Sequence, residues 1–344
     1  MSGLSKYSAL KGKISAIKRK MLKISDYHEI IAKDNIVDIL NFLKKNSLYK
    51  EVLKDFTKEE VHRGDFEFYL KKGYLYEIKK MMKFMSFKEK KFYKALFLRY
   101  EVEDLKIILR AVNRNEDINL VEKNLLKISY YSLDYNDLLS SNNIQSLVSK
   151  LKHKPYYPYL RNLEDEDENR MEFHMEMNLE TLYFRELVDK TKFLSKKDQN
   201  IILDMIGVNV DLINLQFIYR AIKYYKITPE EILNYTIPLG KYMRINKLKK
   251  LVYIKTVSEF FREIKDSKYN YIFKDDDLKI EINQLSFLEM FLVKISRKNP
   301  FTIAQIIEFV HLLEFEVRDI ISIIEGVRYE IDKNELKEFI IKKI

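Results

Sequence analysis

One short element occurs three times along this chain, and its spacing limits the fold more than any other feature. It reads EVEDLKIILRA at 101–111, DLINLQFIYRA at 211–221 and EVRDIISIIEG at 316–326. Each copy begins with an acid, has an acid or an asparagine three residues later, and ends in a charged residue followed by a small one. Such a recurrence predicts three related structural units rather than one continuous domain.

Other segments keep the same spacing. LKKNSLY at 43–49 aligns with LKHKPYY at 151–157, 108 residues further on, and FMSFKEK at 84–90 aligns with FLSKKDQ at 193–199, 109 residues further on. Several pairs at nearly one offset are stronger evidence than any single pair. We therefore predict three divergent copies of a unit of about 110 residues. The predicted domains are residues 1–116, 117–226 and 227–344.

Glycine and proline are rare, with seven and five residues in a chain of 344. Because these residues interrupt helices, their scarcity favours long helices. Apolar residues recur at three- and four-residue steps, as in 201–208, and Ser195 and Thr228 stand where helix N-caps are expected. We predict an all-α fold of three helical bundles. Only LKIEI at 278–282 alternates as a strand would.

The repeated helix carries polar residues on a helical spacing. Glu101 and Asp104 lie one turn apart, and the second copy has Asn214 in place of Asp104. Because an asparagine cannot titrate, this position suits a buried hydrogen bond better than proton transfer. The residues predicted to be structural polar groups inside the three bundles are Glu101, Asp104, Arg110, Asp211, Asn214, Arg220, Glu316, Asp319 and Glu325.

The sequence shows no motif of catalysis or nucleotide binding. It has no cysteine, no GxxxxGK[ST] phosphate loop and no GxSxG element. His62 precedes Asp65 and His174 precedes Glu176, but neither spacing is that of a metal site. Both histidines are predicted to lie on a surface helix or turn. We predict no catalytic residue, cofactor, metal or small-molecule substrate.

The chain is basic, with 62 lysine and arginine residues against 52 acids and a net charge of +10. Because the charges are interspersed, a solvated helical surface explains most of them. An acidic partner, including a nucleic acid, and membrane headgroups are the alternatives. The 24 tyrosines and 21 phenylalanines could stack on single-stranded bases. Their helical spacing among leucine and isoleucine favours core packing instead.

The N-terminal segment has no acid before Asp26 and carries one apolar stripe of helical spacing. The stripe consists of Tyr7, Leu10, Ile14, Ile17 and Met21. An organellar transit peptide has a similar composition. Lysine greatly outnumbers arginine, however, and the pattern continues into the next helical segment, so a first structural helix is predicted. No run of about 18 apolar residues predicts a membrane span.

The C-terminal part of the chain resembles a known family. NPFTIAQIIEFVHLLEFEVRDIISIIEG at 299–326 is similar to a run of the AC39/d-subunit family: Pro-Phe, a helix, then Glu-x-Glu-Val-Arg-Asn and a final Ile-x-x-Gly. Asp319 stands where that family has Asn, and Ser322 where Arg or Lys is common. YEVEDLKIILRA and VDLINLQFIYRA resemble its acidic-x-x-Asn-Leu…Leu-Arg pattern, and the helix with Tyr7 resembles its opening helix. The resemblance covers the whole chain.

This family comprises the C subunit of A/V-type rotary ATPases and the d subunit of the eukaryotic V-ATPase. The resemblance implies a non-catalytic central-stalk subunit, built as a funnel of three helical domains with approximate threefold symmetry. The funnel is expected to sit on the cytoplasmic end of the membrane proteolipid ring and to receive the D and F shaft subunits. It would transmit rotation for ATP-coupled proton or sodium transport, with no nucleic acid as partner.

The resemblance also gives the lysine excess a role, because a socket on an anionic membrane benefits from basic residues facing the headgroups. The candidate membrane-facing cluster is Lys11, Lys13, Lys18, Arg19 and Lys20. A solvated helix face is the alternative for this cluster. For the whole chain, the second hypothesis is a basic helical-repeat protein that binds nucleic acid or another acidic partner, and an enzyme is the third.

Overall fold

The computed structural model describes residues 3–54, 56, 63–128, 130–162, 168–225, 227–273 and 277–344. Within these ranges every regular element is a helix, so the predicted all-α class is confirmed. His62 and most of the acidic run at 163–169, which the sequence suggests is a loop or helix start, lie outside the described residues.

The α-helices follow one another in three runs. The first run is α1 Gly3–Lys18, α2 Ile24–Ile31, α3 Ile36–Asn46, α4 Lys50–Leu53, α5 Arg63–Met81, α6 Phe87–Leu96 and α7 Leu98–Asn113. The second is α8 Ile118–Asn124, α9 Tyr135–Leu139, α10 Ile144–Lys150, α11 Tyr157–Leu160, α12 Glu168–Lys190 and α13 Lys196–Tyr224. The third is α14 Pro229–Tyr235, α15 Ile245–Val252, α16 Val257–Ile264, α17 Asp277–Lys298, α18 Ala304–Arg328 and α19 Lys333–Glu338.

The three runs share an order of elements. In each, short helices precede a long helix (α5, α12 or α17), which turns into a second helix that carries the repeated sequence element (α7, α13 or α18). A further short helix begins five residues after each repeated helix ends, at 118 after 113, at 229 after 224 and at 333 after 328. The last of these, α19, is therefore the counterpart of α8 and α14.

Two of the repeated helices end in the same backbone conformation. Asn115 and Glu330 both have φ of 53° in the left-handed region. The residue after each donates its N–H back to the carbonyl of Ala111 or Gly326, at 2.9 Å in both cases. This is the C-terminal capping geometry that satisfies the last carbonyls of a helix. It directs the chain into the short helix that follows.

The small residue at the end of the repeated element has a packing reason in the third copy. A Cβ added at Gly326 would overlap Cδ1 of Leu336, a buried residue of α19. The close approach of α19 to α18 therefore requires a residue without a side chain at this position.

Asparagine caps set the start of matching short helices. The side-chain oxygen of Asn35 accepts from the N–H of Asp38 at the start of α3, and that of Asn143 accepts from the N–H of Ser146 at the start of α10, both at 2.8 Å. Each cap satisfies an N–H that has no partner within its helix. The two caps lie 108 residues apart, as the sequence alignment predicts.

The chain forms two compact units. One unit contains residues 1–86 together with 270–344, and the other contains residues 87–269. In the first unit α18 packs against α17, α5, α1 and α3; in the second α12 packs against α7, α6 and α13. The two units do not coincide with the predicted domains 1–116, 117–226 and 227–344, and this threefold division stays a prediction.

Two local expectations can be compared with the structure. The segment 278–282, which alternates as a strand would, lies within helix α17, where Ile280, Leu288 and Leu292 are buried at helical spacing. The possible strand is therefore wrong, because the helical period of the whole segment outweighs five alternating residues. The apolar stripe from Tyr7 to Ile17 is buried on one side of α1, as predicted.

Helix α13 is the only helix in the described part of the chain that is long and apolar enough to span a membrane by length and composition. In its most apolar stretch, 67% of the residues are buried inside the protein. It also carries the buried polar residues Asp211 and Asn214. These properties are those of a core helix.

Candidate functional site

The first acid pair, Glu101 and Asp104 on α7, binds the loop that follows that helix. Both side chains are buried, with 0% and 1% exposed. Glu101 accepts hydrogen bonds from the backbone N–H groups of Tyr130 and Tyr131, the latter at 3.0 Å, and from the hydroxyl of Tyr156 at 2.7 Å. One carboxylate thus satisfies loop donors that would otherwise be buried without partners.

Asp104 holds a neighbouring part of the same loop. Its carboxylate accepts from the N–H groups of Leu126 and Lys127, at 2.9 and 2.8 Å, and from the hydroxyl of Tyr135 at 3.0 Å. We call this arrangement, two polar side chains on the repeated helix that bind backbone groups of a loop, an acid-pair clamp. The first clamp is Glu101 with Asp104.

The second clamp, Asp211 with Asn214 on α13, repeats this arrangement. Asp211 accepts from the N–H groups of Tyr242 and Met243, at 2.7 and 3.0 Å, and from the hydroxyl of Tyr269 at 2.7 Å. Burial raises the pKa of Asp211, and these hydrogen bonds oppose the rise.

Asn214 shows why an asparagine serves where the first clamp has an aspartate. Its side-chain oxygen accepts from the N–H of Ile237 at 2.8 Å, and its amide donates to the carbonyl of the same residue at 2.8 Å. A carboxylate could accept the first bond but could not donate the second. The position therefore recognises a backbone segment rather than transferring a proton.

The third clamp, Glu316 with Asp319 on α18, binds both ends of the chain. Asp319 accepts from the N–H groups of Ile341 and Lys342, at 2.7 and 3.1 Å, and from the hydroxyl of Tyr27 at 3.2 Å. Glu316 accepts from the N–H of Leu22 at 2.6 Å. The loop that is continuous in the other clamps is divided here between the C-terminal residues and the segment after α1.

The third clamp also differs in its tyrosine. Tyr49 lies close to Glu316, as their electrostatic coupling requires. Neither the Tyr49 hydroxyl nor Oε1 of Glu316 has a hydrogen-bond partner among the described residues, although both atoms are buried. Tyr156 and Tyr269 make this bond at 2.7 Å in the other two clamps.

A cavity of about 180 Å³ adjoins the third clamp. Its lining includes Glu316, Asp319, Tyr27, Lys18 and Lys342. Burial raises the pKa of Glu316 to about 8 and that of Asp319 to about 7, while the backbone hydrogen bonds to each carboxylate oppose the rise. The charge of Asp319 raises the pKa of Glu316 further.

With this geometry established, comparison with known proteins decides the family. The family model of the ATP synthase (C/AC39) subunit matches residues 10–339. The chain belongs to the ATP synthase (C/AC39) subunit family. This confirms the resemblance that the sequence motifs indicate.

Relatives in this family carry one name, the C subunit of A-type ATP synthase. The relative from Methanosphaera stadtmanae is 26% identical over 256 residues, which cover 71% of this chain and 66% of that protein. The relative from Methanosarcina mazei is 24% identical over 271 residues, which cover 78% of this chain and 72% of that protein. The relative from Methanosarcina acetivorans is 22% identical over 346 residues, which cover 98% of this chain and 93% of that protein.

In this C/AC39 chain, the last charged residue of each repeated element lies at the margin of the core. Arg110 is half-buried, and its Nε donates to the carbonyl of Lys106 at 3.3 Å. Arg220 has 41% of its side chain exposed and lies 3.9 Å from Glu176. Glu325 forms an ion pair with Arg328 at 2.6 Å. These three residues therefore do not join the clamps, whereas the first two polar residues of each copy form them.

His174 occupies a buried position, so the expectation of a surface helix or turn is wrong for it. Its ring is fully buried on α12 and stacks on Tyr235, with ring centres 3.9 Å apart. Nε2 lies 3.4 Å from a carboxylate oxygen of Glu231. The residues Phe173 and Met175 beside it are also buried, so this face of α12 points into the core. The described residues contain no group of three or more potential ligands that could hold a metal ion.

The basic cluster near the N-terminus does not form one free surface. Lys18 makes an ion pair with Glu308 at 2.6 Å, and Lys11 lies 4.5 Å from the centre of the Phe301 ring. Arg19 and Lys20 are exposed beyond the end of α1, and Lys13 is half-buried. Only part of the cluster is thus available to a partner.

Sequence reasoning missed the clamp tyrosines. A signal existed, because the N–H of Tyr49 bonds to Oγ of Ser47 at 3.1 Å and that of Tyr269 to Oγ of Ser267 at 3.2 Å, so a Ser-x-Tyr step recurs. The alignment of Tyr49 with residue 157 is wrong by one position. The buried counterpart in the first clamp is Tyr156.

Proposed function

We propose that this chain is a non-catalytic central-stalk subunit of an A/V-type rotary ATPase, a socket that links the D and F shaft subunits to the membrane proteolipid ring. The observation that carries the proposal is the family match over residues 10–339. The relatives that match are named as the C subunit of A-type ATP synthase. In this role the protein transmits rotation for ATP-coupled proton or sodium transport.

The clamps support a mechanical role. A part that transmits torque has to keep its helices and loops in fixed positions, and each clamp anchors an irregular loop to a core helix through several hydrogen bonds. Buried polar networks whose members are satisfied make a structure rigid and specific. The acids of the clamps serve this purpose, which leaves them no role as a catalytic pair.

The proposed architecture is three related helical domains, residues 1–116, 117–226 and 227–344, arranged as a funnel of approximate threefold symmetry. The recurring order of elements and the three clamps support a threefold origin. The third clamp supports it further, because it joins the N-terminal and C-terminal segments as a closed cycle of three units would require.

We place the protein at the cytoplasmic face of the membrane, held there by the proteolipid ring. Arg19 and Lys20, the exposed members of the N-terminal cluster, are the candidates from that cluster for contact with anionic headgroups. Lys18 is an unlike case, since its charge is already balanced by Glu308.

The test is affinity capture of the tagged full chain from detergent-solubilised membranes of its own cells. We expect capture of the shaft subunits and the proteolipid, identified by mass spectrometry. The shaft subunits, made recombinantly and mixed with the chain, should bind it directly. Recovery of the intact chain with neither shaft nor proteolipid subunits in both formats would overturn the proposal.

A further inference from the structure

A basic aromatic surface lies in the unit of residues 87–269, at the start of α6 and the turn before α13. We define this surface by Phe87, Lys88, Lys91, Phe193, Lys196 and Lys197. The side chain of Phe87 is 74% exposed, which is exceptional for a large apolar residue in this chain. The two segments contact each other, so the surface is continuous.

Lysine and phenylalanine side chains are interleaved on this surface. Nζ of Lys91 lies 4.9 Å from the ring centre of Phe87 and 4.5 Å from that of Phe193. These are cation–π distances, and the lysine holds the two rings on either side of it. Two apolar rings are therefore presented at the surface together with positive charge.

The surface carries a strong excess of positive charge. Segments 87–94 and 190–197 contain eight lysines, no arginine and one acid, Glu89, which is buried. Asp189 pairs with Lys190 and Lys192. The exposed lysines Lys88, Lys91, Lys196 and Lys197 make no ion pair with a described residue. Nothing in the described part of this fold balances their charge.

The same local pairing occurs at the equivalent turn of the other unit. Phe301 lies between α17 and α18, and Lys11 lies 4.5 Å from the centre of its ring. The turn follows Arg297 and Lys298, and no acid occurs between Glu289 and Glu308. Lysine next to phenylalanine at a helical turn thus recurs. By contrast, short helices at matching positions differ in charge: α9 carries Asp137 while α15 carries three lysines.

We propose that the basic aromatic surface binds an anionic lipid membrane. Exposed phenylalanines insert at the boundary of headgroup and acyl chain, while lysines on flexible stems reach the anionic headgroups. The absence of arginine argues against a site for nucleic acid, where the planar guanidinium is the preferred phosphate ligand. The lipid contact adds to the proposed function and does not depend on it.

Co-sedimentation of the purified full chain with vesicles tests this proposal. We expect binding to phosphatidylcholine vesicles that contain phosphatidylglycerol, weak binding to pure phosphatidylcholine, and loss of binding at high salt. Reversal of Lys88, Lys91, Lys196 and Lys197 to glutamate should lower the affinity by at least about a hundredfold, because each lysine near an anionic surface contributes roughly fivefold. Phe87→Ser should lower it by about tenfold.

The matched control reverses four exposed lysines elsewhere in the same unit, Lys247, Lys249, Lys250 and Lys255. It changes the net charge equally and should keep most of the binding. An equal loss in the control, or intact vesicle binding in the surface variant, overturns the proposal. So does a surface variant that loses binding to a DNA oligonucleotide but not to vesicles. Capture of shaft subunits in detergent should be unchanged in the surface variant, which separates this test from that of the proposed function.

Discussion

The first and third clamps are built from the same residues in the same order, yet they are satisfied to different degrees. Glu101 binds two loop N–H groups and the hydroxyl of Tyr156, all from one continuous stretch of chain. Glu316 binds one N–H, and the Tyr49 hydroxyl near it makes no hydrogen bond with a described residue. A cavity adjoins the third clamp, and burial raises the pKa of its acids.

The difference teaches what a continuous loop contributes. In the first clamp the loop enters and leaves at positions that one chain fixes. In the third clamp the donors come from Leu22 and from Ile341 and Lys342, at opposite ends of the sequence. Two separate segments must be brought together there, so the hydrogen-bond set is less complete. The third clamp is thus the weaker and the more sensitive to protonation.

The largest expected effect comes from removing the first acid of a clamp. Glu101→Ala should lower the free energy of unfolding by about 4 kcal/mol, because two N–H groups and a tyrosine hydroxyl are left buried without partners. Glu316→Ala should lower it by about 2 kcal/mol, since fewer partners are lost. Urea unfolding of the two variants measures the difference. An equal loss, or a greater loss for Glu316→Ala, would contradict the ranking of the clamps.

The second clamp can be broken from the loop side. A Cβ at Gly240 would overlap Oδ1 of Asp211 and lie 2.8 Å from the carbonyl oxygen of Met243. Gly240→Ala should therefore lower the free energy of unfolding by about 3 kcal/mol through overpacking and displacement of the loop. Gly12→Ala is the control, because no atom lies within 4 Å of its added Cβ. In thermal unfolding the control should be neutral or slightly stabilising, and equal destabilisation by both would refute the overlap.

The third clamp should make stability depend on pH. Because the pKa values of Glu316 and Asp319 are raised to about 8 and about 7, the folded chain keeps protons that the unfolded chain loses above its ordinary pKa of about 4. The contribution of the pair to stability is thus largest in acid and falls as pH rises through both folded values.

Glu316→Gln removes one of these titrations. Its free energy of unfolding should rise relative to that of the unmodified chain between pH 5 and pH 8, by about 2 kcal/mol in total. Urea unfolding at several pH values gives this difference directly. A difference that stays constant with pH, or that changes in the opposite direction, would show that the acids of the third clamp are already ionised in acid.

The smallest effects concern the tyrosine hydroxyls. Tyr156→Phe and Tyr269→Phe each remove a hydrogen bond of 2.7 Å to a buried carboxylate and should each cost about 1.5 kcal/mol. Tyr49→Phe should cost less than about 0.5 kcal/mol, because its hydroxyl makes no such bond with a described residue. Three equal losses in urea unfolding would mean that Tyr49 completes the third clamp as fully as its counterparts complete theirs.

The sequence predicted what depends on periodicity. The helical class, the apolar stripe of α1 and the positions of the repeated polar residues follow from spacing, which one chain displays. Asp104 and Asn214 are interchangeable because both bind a backbone segment, and this chemistry is legible without a structure.

The sequence did not predict what depends on contacts between distant segments. Tyr135 and Tyr156 reach the first clamp from 31 and 55 residues away, and nothing in local pattern marks them among 24 tyrosines. The burial of His174 was missed because a histidine between two apolar residues is ambiguous in a helix. The closure of the third clamp by Leu22 and Ile341 joins the two ends of the chain, which no local pattern encodes.

Amide hydrogen exchange tests the central claim, that the repeated acids hold the loops, most directly. The N–H groups of Tyr131 and Met243 lie outside helices and bond only to clamp carboxylates in the described structure. We predict that both amides are protected from exchange in the unmodified chain, and that Glu101→Gln weakens protection at Tyr131 while leaving Met243 unchanged. Exchange of Tyr131 at the rate of an unstructured loop in the unmodified chain would contradict the claim.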